Sequence, residues 1–270
     1  MNRTLLTIAL AIASLASTPG ASTPGASTPG ASTPGSPDWA QDADVVEHLG
    51  QKIPLDLTFR DSSGSDVALR SLFDGTHPVY MVLAYYECPQ LCSLVLDAAR
   101  GAMRQLDSWG WHLGDQYRAV TISFDSNELP YQAQHKKLAM GATWPFLVGN
   151  AANIEALTDK LGFHFLRDPR TGAIAHAAVT FVLGPDGTIS RYLYGTDVPP
   201  RDLKLALLEA SQGKTGSIGD RILMHCFCYD PATHRYGLFV KRFMQIGGLL
   251  IFIIAVVMVA SFARFERRRQ

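Results

Sequence analysis

The chain has 270 residues, with 24 basic and 24 acidic side chains and therefore no formal net charge at neutral pH. This balance gives no sign of a nucleic-acid or other polyanionic partner, and we expect none. The length accommodates one well-buried domain with additional segments at either end.

The opening segment, residues 1–16, is typical of a secretory signal peptide. Arg3 precedes an apolar run over 5–15, and small residues follow where cleavage is expected. The run is shorter than the roughly 20 residues that a membrane-spanning helix needs, although an uncleaved N-terminal anchor is the alternative. Four Ala-Ser-Thr-Pro-Gly repeats then occupy 16–35. We predict a disordered linker over 17–37, because proline and small residues cannot build a core.

Residues 38–215 alternate strand and helix patterns and predict one α/β domain with a thioredoxin-like fold. A strand–helix–strand–helix half is followed by a hairpin and a last helix, which predicts a central mixed sheet flanked by helices. The apolar run VYMVLAYY is typical of a central strand covered on both faces, and we assign Tyr85 and Tyr86 to its packing. The predicted strands are 55–59, 79–86, 117–124, 178–183 and 189–194, and the predicted helices are 91–106, 129–140, 153–161 and 200–211.

The four cysteines form two close pairs, Cys88 with Cys92 and Cys226 with Cys228. A disulfide-stapled fold would scatter its cysteines, so close pairs indicate a redox or metal site. Cys88 and Cys92 lie where a buried strand gives way to a helix, and their spacing places both sulfurs on one side of the first turn. The positive helix N-terminus favours thiolates, which bind soft metals. A dithiol exchange catalyst and a structural disulfide are the alternatives.

His176 is the predicted third ligand. It lies in the loop before the strand VTFVL, and in a thioredoxin-like sheet this loop faces the cysteine-bearing turn. One imidazole with two thiolates suits copper, which tolerates low coordination when reduced. The alternative is an ordinary, partly exposed histidine. The same stretch lacks the proline that thiol-exchange thioredoxins place there, which favours copper over disulfide chemistry.

The second cysteine pair lies in a predicted membrane-proximal segment, 216–242. Adjacent Cys-x-Cys sulfurs would close a strained ring, so an internal disulfide is disfavoured. Our hypothesis is an accessory copper site formed by Cys226, Cys228 and His225, and the alternative is a buried turn near the membrane.

The C-terminal segment predicts a membrane anchor. Residues 243–262 are almost wholly apolar, which is typical of a transmembrane helix. The tail 263–270 carries several arginines and is therefore expected in the cytoplasm. We expect one crossing of a bacterial cytoplasmic membrane, with the globular domain on the periplasmic or extracellular side.

These features together resemble the Sco/SenC family of copper chaperones, which are used in assembling cytochrome c oxidase, and in particular a bacterial branch with a C-terminal anchor. The resemblance covers about 55–211 and rests on Cys-Pro-Gln-Leu-Cys at 88–92, Ile-Ser-Phe-Asp at 122–125, and His176 followed by FVLGPDG and RYLYG. It implies a thioredoxin-like fold and one copper ion held by Cys88, Cys92 and His176.

The resemblance also implies a carrier rather than an enzyme. Its copper would pass to cytochrome c oxidase subunit II, with a periplasmic thiol reductant or copper donor as a further partner. The first alternative is a membrane-tethered thiol–disulfide oxidoreductase that uses Cys88 and Cys92 as a redox disulfide. The second is a copper-responsive sensor that transfers no metal.

Two features depart from the family pattern. Ser93 stands where a proline often follows the second cysteine, and the acidic Asp-Pro-x-x-Asp-Thr-Pro loop is represented only by Asp-Ser-Asn-Glu-Leu-Pro at 125–130. Neither departure removes a ligand, and we give Asp125 a structural role.

Overall fold

The computed structural model describes residues 43–88, 91–212, 227–230 and 235–238, together with positions 248, 251, 253, 254, 257 and 258. The chain divides into two units, 1–36 and 37–270, and all described residues belong to the second. The predicted signal peptide, linker and basic tail lie outside the described residues, as do His225 and Cys226.

The secondary structure confirms the predicted order of strands and helices and adds short elements to it. The helices are α1 (Leu91–Ser108), α2 (Pro130–Met140), α3 (Ala151–Leu161) and α4 (Pro200–Ala210). The strands are β1 (Thr58–Asp61), β2 (Asp66–Ala68), β3 (Val79–Ala84), β4 (Arg118–Ser123), β5 (Phe146–Val148), β6 (Phe165–Arg167), β7 (Ile174–His176), β8 (Val179–Leu183), β9 (Ile189–Tyr194), β10 (Phe227–Asp230) and β11 (Arg235–Leu238).

A seven-stranded mixed sheet forms the centre of the domain, with strand order β2-β1-β5-β4-β3-β8-β9. β3, β4 and β5 are parallel, whereas β8 runs antiparallel to β3 and β1 runs antiparallel to β5. All six residues of β3 are buried, as the apolar run predicts for a strand covered on both faces. The mixed α/β fold with a central sheet flanked by helices is therefore confirmed.

The helices pack through apolar faces that recur at helical spacing. The buried side of α1 includes Val95, Leu96, Ala99 and Met103, and α1 packs against α4. Burying each large side chain of this kind contributes about 1.5–3 kcal/mol. This packing holds the first turn of α1, which carries Cys92, against the sheet.

Several predicted boundaries were wrong. The strand predicted at 55–59 begins only at Thr58, because the carbonyls of Leu55 and Leu57 accept hydrogen bonds from the short helical turn Leu69–Leu72 instead of from the sheet. β3 ends at Ala84, because the chain then turns towards Cys88. The prediction missed β2, β5, β6 and β7, which have three residues each and are too short to show a period.

Within the described residues, no helix has the length and apolar character needed to cross a membrane, and most of the predicted span 243–262 lies outside them. The described positions of that span are helical, and their larger side chains are exposed: Ile251, Ile253, Ile254, Val257 and Met258.

Candidate metal centre

The sheet brings the cysteine turn and His176 to the same edge. β3 and β8 are antiparallel neighbours with Val82 opposite Thr180, so the end of β3 lies beside the start of β8. The chain that leaves β3 carries Cys88, and the chain that enters β8 carries His176. Strand order therefore unites residues that are 88 positions apart in the sequence.

The two cysteines lie on either side of the start of α1, and neither forms a disulfide. The backbone N–H of Cys88 donates to the carbonyl of Tyr85 at 3.3 Å. The backbone N–H of Cys92 donates to the sulfur of Cys88 at 3.3 Å. Cys88 is 8% exposed and Cys92 is 1% exposed, so the pair lies just below the surface. A sulfur that accepts a helix N-terminal N–H is stabilised as a thiolate.

His176 is oriented by hydrogen bonds at both ring nitrogens. Its Nδ1 lies 2.9 Å from the carbonyl oxygen of Ala177, which only accepts hydrogen bonds, so Nδ1 carries the proton. Its Nε2 lies 3.1 Å from the sulfur of Cys92. The lone pair of Nε2 therefore faces the thiol pair, and a backbone carbonyl selects the tautomer in the way that is common for metal-binding histidines.

The prediction of a loop at His176 was wrong, because the residue ends β7. It pairs with Phe165 of β6 in a short antiparallel ribbon. The ribbon restrains the backbone of His176, so its imidazole is carried on a strand.

Three aromatic rings surround the imidazole of His176. The ring centroids lie 5.0 Å from Phe124, 6.1 Å from Phe163 and 6.2 Å from Tyr85. Tyr85 packs against the core, as predicted, although it lies beyond the end of β3 and its ring stands edge-on to the imidazole at 84°. The rings come from positions 85, 124 and 163, and no sequence motif links them.

The directions of the pKa shifts at the site favour a protonated thiol at Cys92 and a neutral imidazole at His176. A hydrogen bond with Cys88 and burial raise the pKa of Cys92, while the charge of Lys136 acts in the opposite direction. Burial lowers the pKa of His176 below its ordinary 6.5. At neutral pH the imidazole is therefore an available ligand, and the Cys92 sulfur must lose a proton before it can bind a metal.

A buried carboxyl group supports the cysteine turn and was missed by the sequence analysis. Glu128 is 4% exposed, accepts the backbone N–H of Glu87 at 2.9 Å and also accepts the hydroxyl of Ser123. Burial raises its pKa. Since Glu87 immediately precedes Cys88, this carboxyl group connects the loop after β4 to the turn that carries the first cysteine.

Asp125 occupies the same loop and makes structural contacts. Its carboxylate accepts the backbone N–H of Asn127 at 3.0 Å and pairs with the guanidinium of Arg167 at 2.6 Å. Arg167 belongs to β6, so the ion pair joins this loop to the ribbon that carries His176. These contacts agree with the structural role predicted for Asp125.

Among the described residues, no group of three or more histidine, cysteine, aspartate or glutamate side chains is arranged to hold a metal ion as it stands. The donor set nevertheless suits a soft metal, because it consists of two sulfurs and an imidazole nitrogen whose lone pair faces them. The Cys92 sulfur lies 3.1 Å from Nε2 of His176, so loss of the thiol proton would leave both atoms available to a metal.

Of the three residues of the hypothetical accessory site, Cys228 belongs to the described part of the chain. Cys228 lies in β10, opposite Gly237 of β11, and the other two residues of that site lie outside the described part of the chain.

The chain is similar to solved structures over most of the sheet domain. Two come from Aquifex aeolicus VF5 and are provisionally described as electron transfer and electron transport proteins. Each is 23% identical and covers 60% of this chain, with TM-scores of 0.55 and 0.53, and the matches span 94% and 98% of those chains. A third is BsSco, described as a member of the Sco family of cytochrome c oxidase assembly proteins with a disulfide switch. It is 20% identical with a TM-score of 0.50, and the match covers 62% of this chain and 96% of BsSco. At these identities the likeness establishes the fold alone.

The sequence comparison identifies the family. No curated protein matches the chain in sequence. The sequence model of SCO1/SenC matches residues 50–209, which is more than half of the 270 residues and includes Cys88, Cys92 and His176. The chain therefore belongs to the SCO1/SenC family.

Proposed function

We propose that this protein is a copper metallochaperone that binds copper through Cys88, Cys92 and His176 and delivers it to the copper centre of cytochrome c oxidase subunit II. The observation that carries the proposal is the 3.1 Å contact between the Cys92 sulfur and Nε2 of His176, with Nδ1 committed to a backbone carbonyl. Family membership and the description of BsSco as belonging to a family of oxidase assembly proteins support it.

The burial of the three side chains favours release by ligand exchange from one side. Cys92 is almost completely buried, whereas Cys88 is slightly exposed and His176 is half-buried. An incoming ligand from the acceptor protein would therefore reach the copper from the side of Cys88 and His176. Cys92 would be the last ligand to release it. Both sulfurs must be reduced before loading, which requires an external thiol reductant.

The test is an anaerobic copper(I) titration of the full chain in a mild detergent, with a chromophoric chelator as competitor. We expect one tightly bound copper per wild-type chain, weakened by at least about 100-fold in His176→Ala and in Cys88→Ser/Cys92→Ser, because each change removes a ligand. His164→Ala is the matched control, because His164 is exposed. Equal affinity in His176→Ala and wild type would refute the assignment.

Delivery is tested separately with the metal-free soluble domain of oxidase subunit II. Copper-loaded wild-type protein should transfer its copper and produce the absorption of the acceptor's copper centre. If the acceptor never gains copper, the result would instead favour the interpretation that this protein is a copper sensor.

The proximity of the two sulfurs supports a second candidate, a thiol–disulfide oxidoreductase. Cys88 and Cys92 are joined by the hydrogen bond from the Cys92 backbone to the Cys88 sulfur. This function predicts reduction of partner disulfides, or of insulin as a general substrate, that survives His176→Ala. Loss of both copper binding and activity in that variant would argue against it.

We also propose that the chain crosses a bacterial cytoplasmic membrane once, through 243–262, with its domain on the periplasmic or extracellular side. The apolar segment 243–262 and the exposed apolar side chains at its described positions support the crossing, and the signal-like segment 1–16 and the basic tail 263–270 support its orientation. Protease added to intact spheroplasts should digest the domain and spare an epitope attached after residue 270. A protected domain would contradict the orientation.

A further inference from the structure

A cavity of about 450 Å³ lies beside the second half of α1, away from the cysteine turn. The end of α2 and the chain segments that lead into β4 and β5 complete its walls. Arg100 is the first residue of α1 that lines it, eight positions after Cys92, which corresponds to about 12 Å along the helix axis. Small-molecule sites typically have volumes of about 300–1,000 Å³, so this cavity is large enough to be one.

The inner surface of the cavity is apolar and contains sulfur and aromatic groups. The buried side chains that line it are Met103, Tyr117, Met140 and Trp144. The indole N–H of Trp144 already donates to the hydroxyl of Thr121 at 2.9 Å, so the ring offers the cavity an apolar surface. Thioether groups adapt to the shape of an aromatic ring and make favourable contacts with it. These walls therefore favour a ligand with an aromatic body.

One buried polar group on this surface is left without a partner. Tyr117 is 1% exposed, and its hydroxyl forms no hydrogen bond with any group that the structure describes. Burial and the negative charge of Asp107, which also lines the cavity, raise the pKa of Tyr117, so the hydroxyl stays protonated at physiological pH. A buried donor that lacks an acceptor is unfavourable. An acceptor oxygen on a ligand in the cavity would satisfy it.

The rim of the cavity carries an excess of positive charge. Arg100 and Arg104 both line it, and their spacing of four residues places them on one face of α1. Arg100 already donates to a backbone carbonyl at 2.9 Å and to Asp97 at 3.1 Å, and Asp107 pairs with His112 at 2.6 Å. Arg104 forms no ion pair with a carboxylate in the described part of the chain, so its guanidinium group is available to an anion.

We propose that this cavity is a binding site for a small aromatic carboxylate. The ring packs against the thioether and indole groups of the walls, and the carboxylate accepts hydrogen bonds from the guanidinium group of Arg104 and the hydroxyl of Tyr117. This binding function is separate from the proposed copper function and does not rest on it.

The test is isothermal titration calorimetry of the full chain in a mild detergent with phenylacetate, corrected by a titration into detergent alone. Three related compounds separate the contributions of ring and charge. Phenethyl alcohol keeps the ring without the charge, phenethylamine reverses the charge, and acetate lacks the ring. We expect phenylacetate to bind with a Kd below about 1 mM and each of the others to bind at least about tenfold more weakly, because only phenylacetate uses both the walls and the free guanidinium group.

Matched variants identify the two polar groups. Arg104→Met should weaken phenylacetate binding by about tenfold or more and leave phenethyl alcohol binding unchanged, because it removes a charge and keeps an apolar stem. Tyr117→Phe should weaken phenylacetate binding about fivefold, because it removes one neutral hydrogen bond and keeps the ring. Lys160→Met and Tyr131→Phe are the controls, since both residues are exposed and neither lines the cavity.

Three outcomes would overturn the inference: no binding of phenylacetate by the wild type at about 1 mM, equal affinity for phenylacetate and phenethyl alcohol, or a loss in Arg104→Met no greater than that in Lys160→Met. Cys88→Ser/Cys92→Ser should bind phenylacetate as the wild type does, because the cavity lies away from the cysteine turn. A loss of phenylacetate binding in that variant would place the ligand at the metal centre and also overturn the inference. Failure of copper binding leaves the inference standing, so the two proposals are tested separately.

Discussion

Replacement of Glu128 tests how a buried carboxyl group supports the turn that carries Cys88. Its two oxygens accept the backbone N–H of Glu87 and the hydroxyl of Ser123. Glu128→Ala leaves the buried hydroxyl of Ser123 without this acceptor, at about 1–3 kcal/mol, and also removes the part-buried hydrogen bond to the Glu87 backbone, at about 1 kcal/mol, so we expect a loss of about 2–4 kcal/mol in the free energy of unfolding. Glu128→Gln keeps one carbonyl oxygen for the backbone N–H and should cost about 1 kcal/mol.

The contribution of Glu128 to the free energy of unfolding depends on pH, and the raised pKa of its carboxyl group gives the sign. Burial raises the pKa of Glu128 above its ordinary 4.5, so the folded protein holds this proton more tightly than the unfolded chain. The contribution of this group to stability is therefore complete below about pH 4 and declines as pH rises through the folded pKa. Glu128→Gln does not titrate at this position, so its deficit relative to wild type should shrink as pH rises from about 4 to 7.

The assay is urea unfolding of residues 38–215 at several pH values, followed by tryptophan fluorescence. Glu155→Gln is the control, because Glu155 is exposed and its neutralisation should change stability by less than about 0.5 kcal/mol. A loss below about 0.5 kcal/mol in Glu128→Ala would show that the carboxyl group does not hold the turn. A deficit of Glu128→Gln that grows with pH would contradict the raised pKa.

Three other measurements examine the site and its surroundings. The pKa of Cys92 is raised and that of His176 is lowered, so copper(I) must displace a thiol proton but no imidazole proton near neutral pH. The copper(I) affinity measured by chelator competition should therefore rise about tenfold per pH unit for each thiol proton displaced. An affinity that does not change with pH would show that copper(I) displaces no thiol proton. Gly162→Ala should lower the free energy of unfolding by more than about 2 kcal/mol in thermal denaturation, because φ is +60° and the new Cβ would lie 1.8 Å from a backbone oxygen, whereas Gly101→Ala, in a helix with open space, should be neutral or stabilising. Asp125→Asn should cost about 1 kcal/mol through its weakened ion pair and leave copper(I) affinity within about threefold; a larger loss of affinity would give Asp125 a role beyond structure.

Sequence patterns correctly predicted the strands and helices in which an apolar pattern extends over many residues. The predicted burial of β3 and of one face of α1 is confirmed, since the buried residues of a long strand or helix recur at a regular spacing along the sequence. The three-residue strands β5, β6 and β7 were missed because their pairing depends on partners elsewhere in the chain. Metal ligation by Cys88, Cys92 and His176 stays a prediction.

The sequence by itself determined the composition of the candidate site. The Cys-x-x-x-Cys spacing at a strand–helix junction and the histidine before VTFVL identify two sulfurs and one imidazole as the chemically distinctive side chains of the domain. This was possible because thiols and imidazoles are rare in the chain and their reactivity belongs to the residue type.

Only the tertiary structure decided what surrounds these donors. The order of β3 and β8 places His176 against Cys92, a backbone carbonyl selects the imidazole tautomer, and Lys136 reaches Ser93 from another helix. These contacts join residues that are distant in sequence and depend on three-dimensional packing. No periodic pattern encodes them, because the energy of a contact or a buried charge depends on which groups the fold brings together.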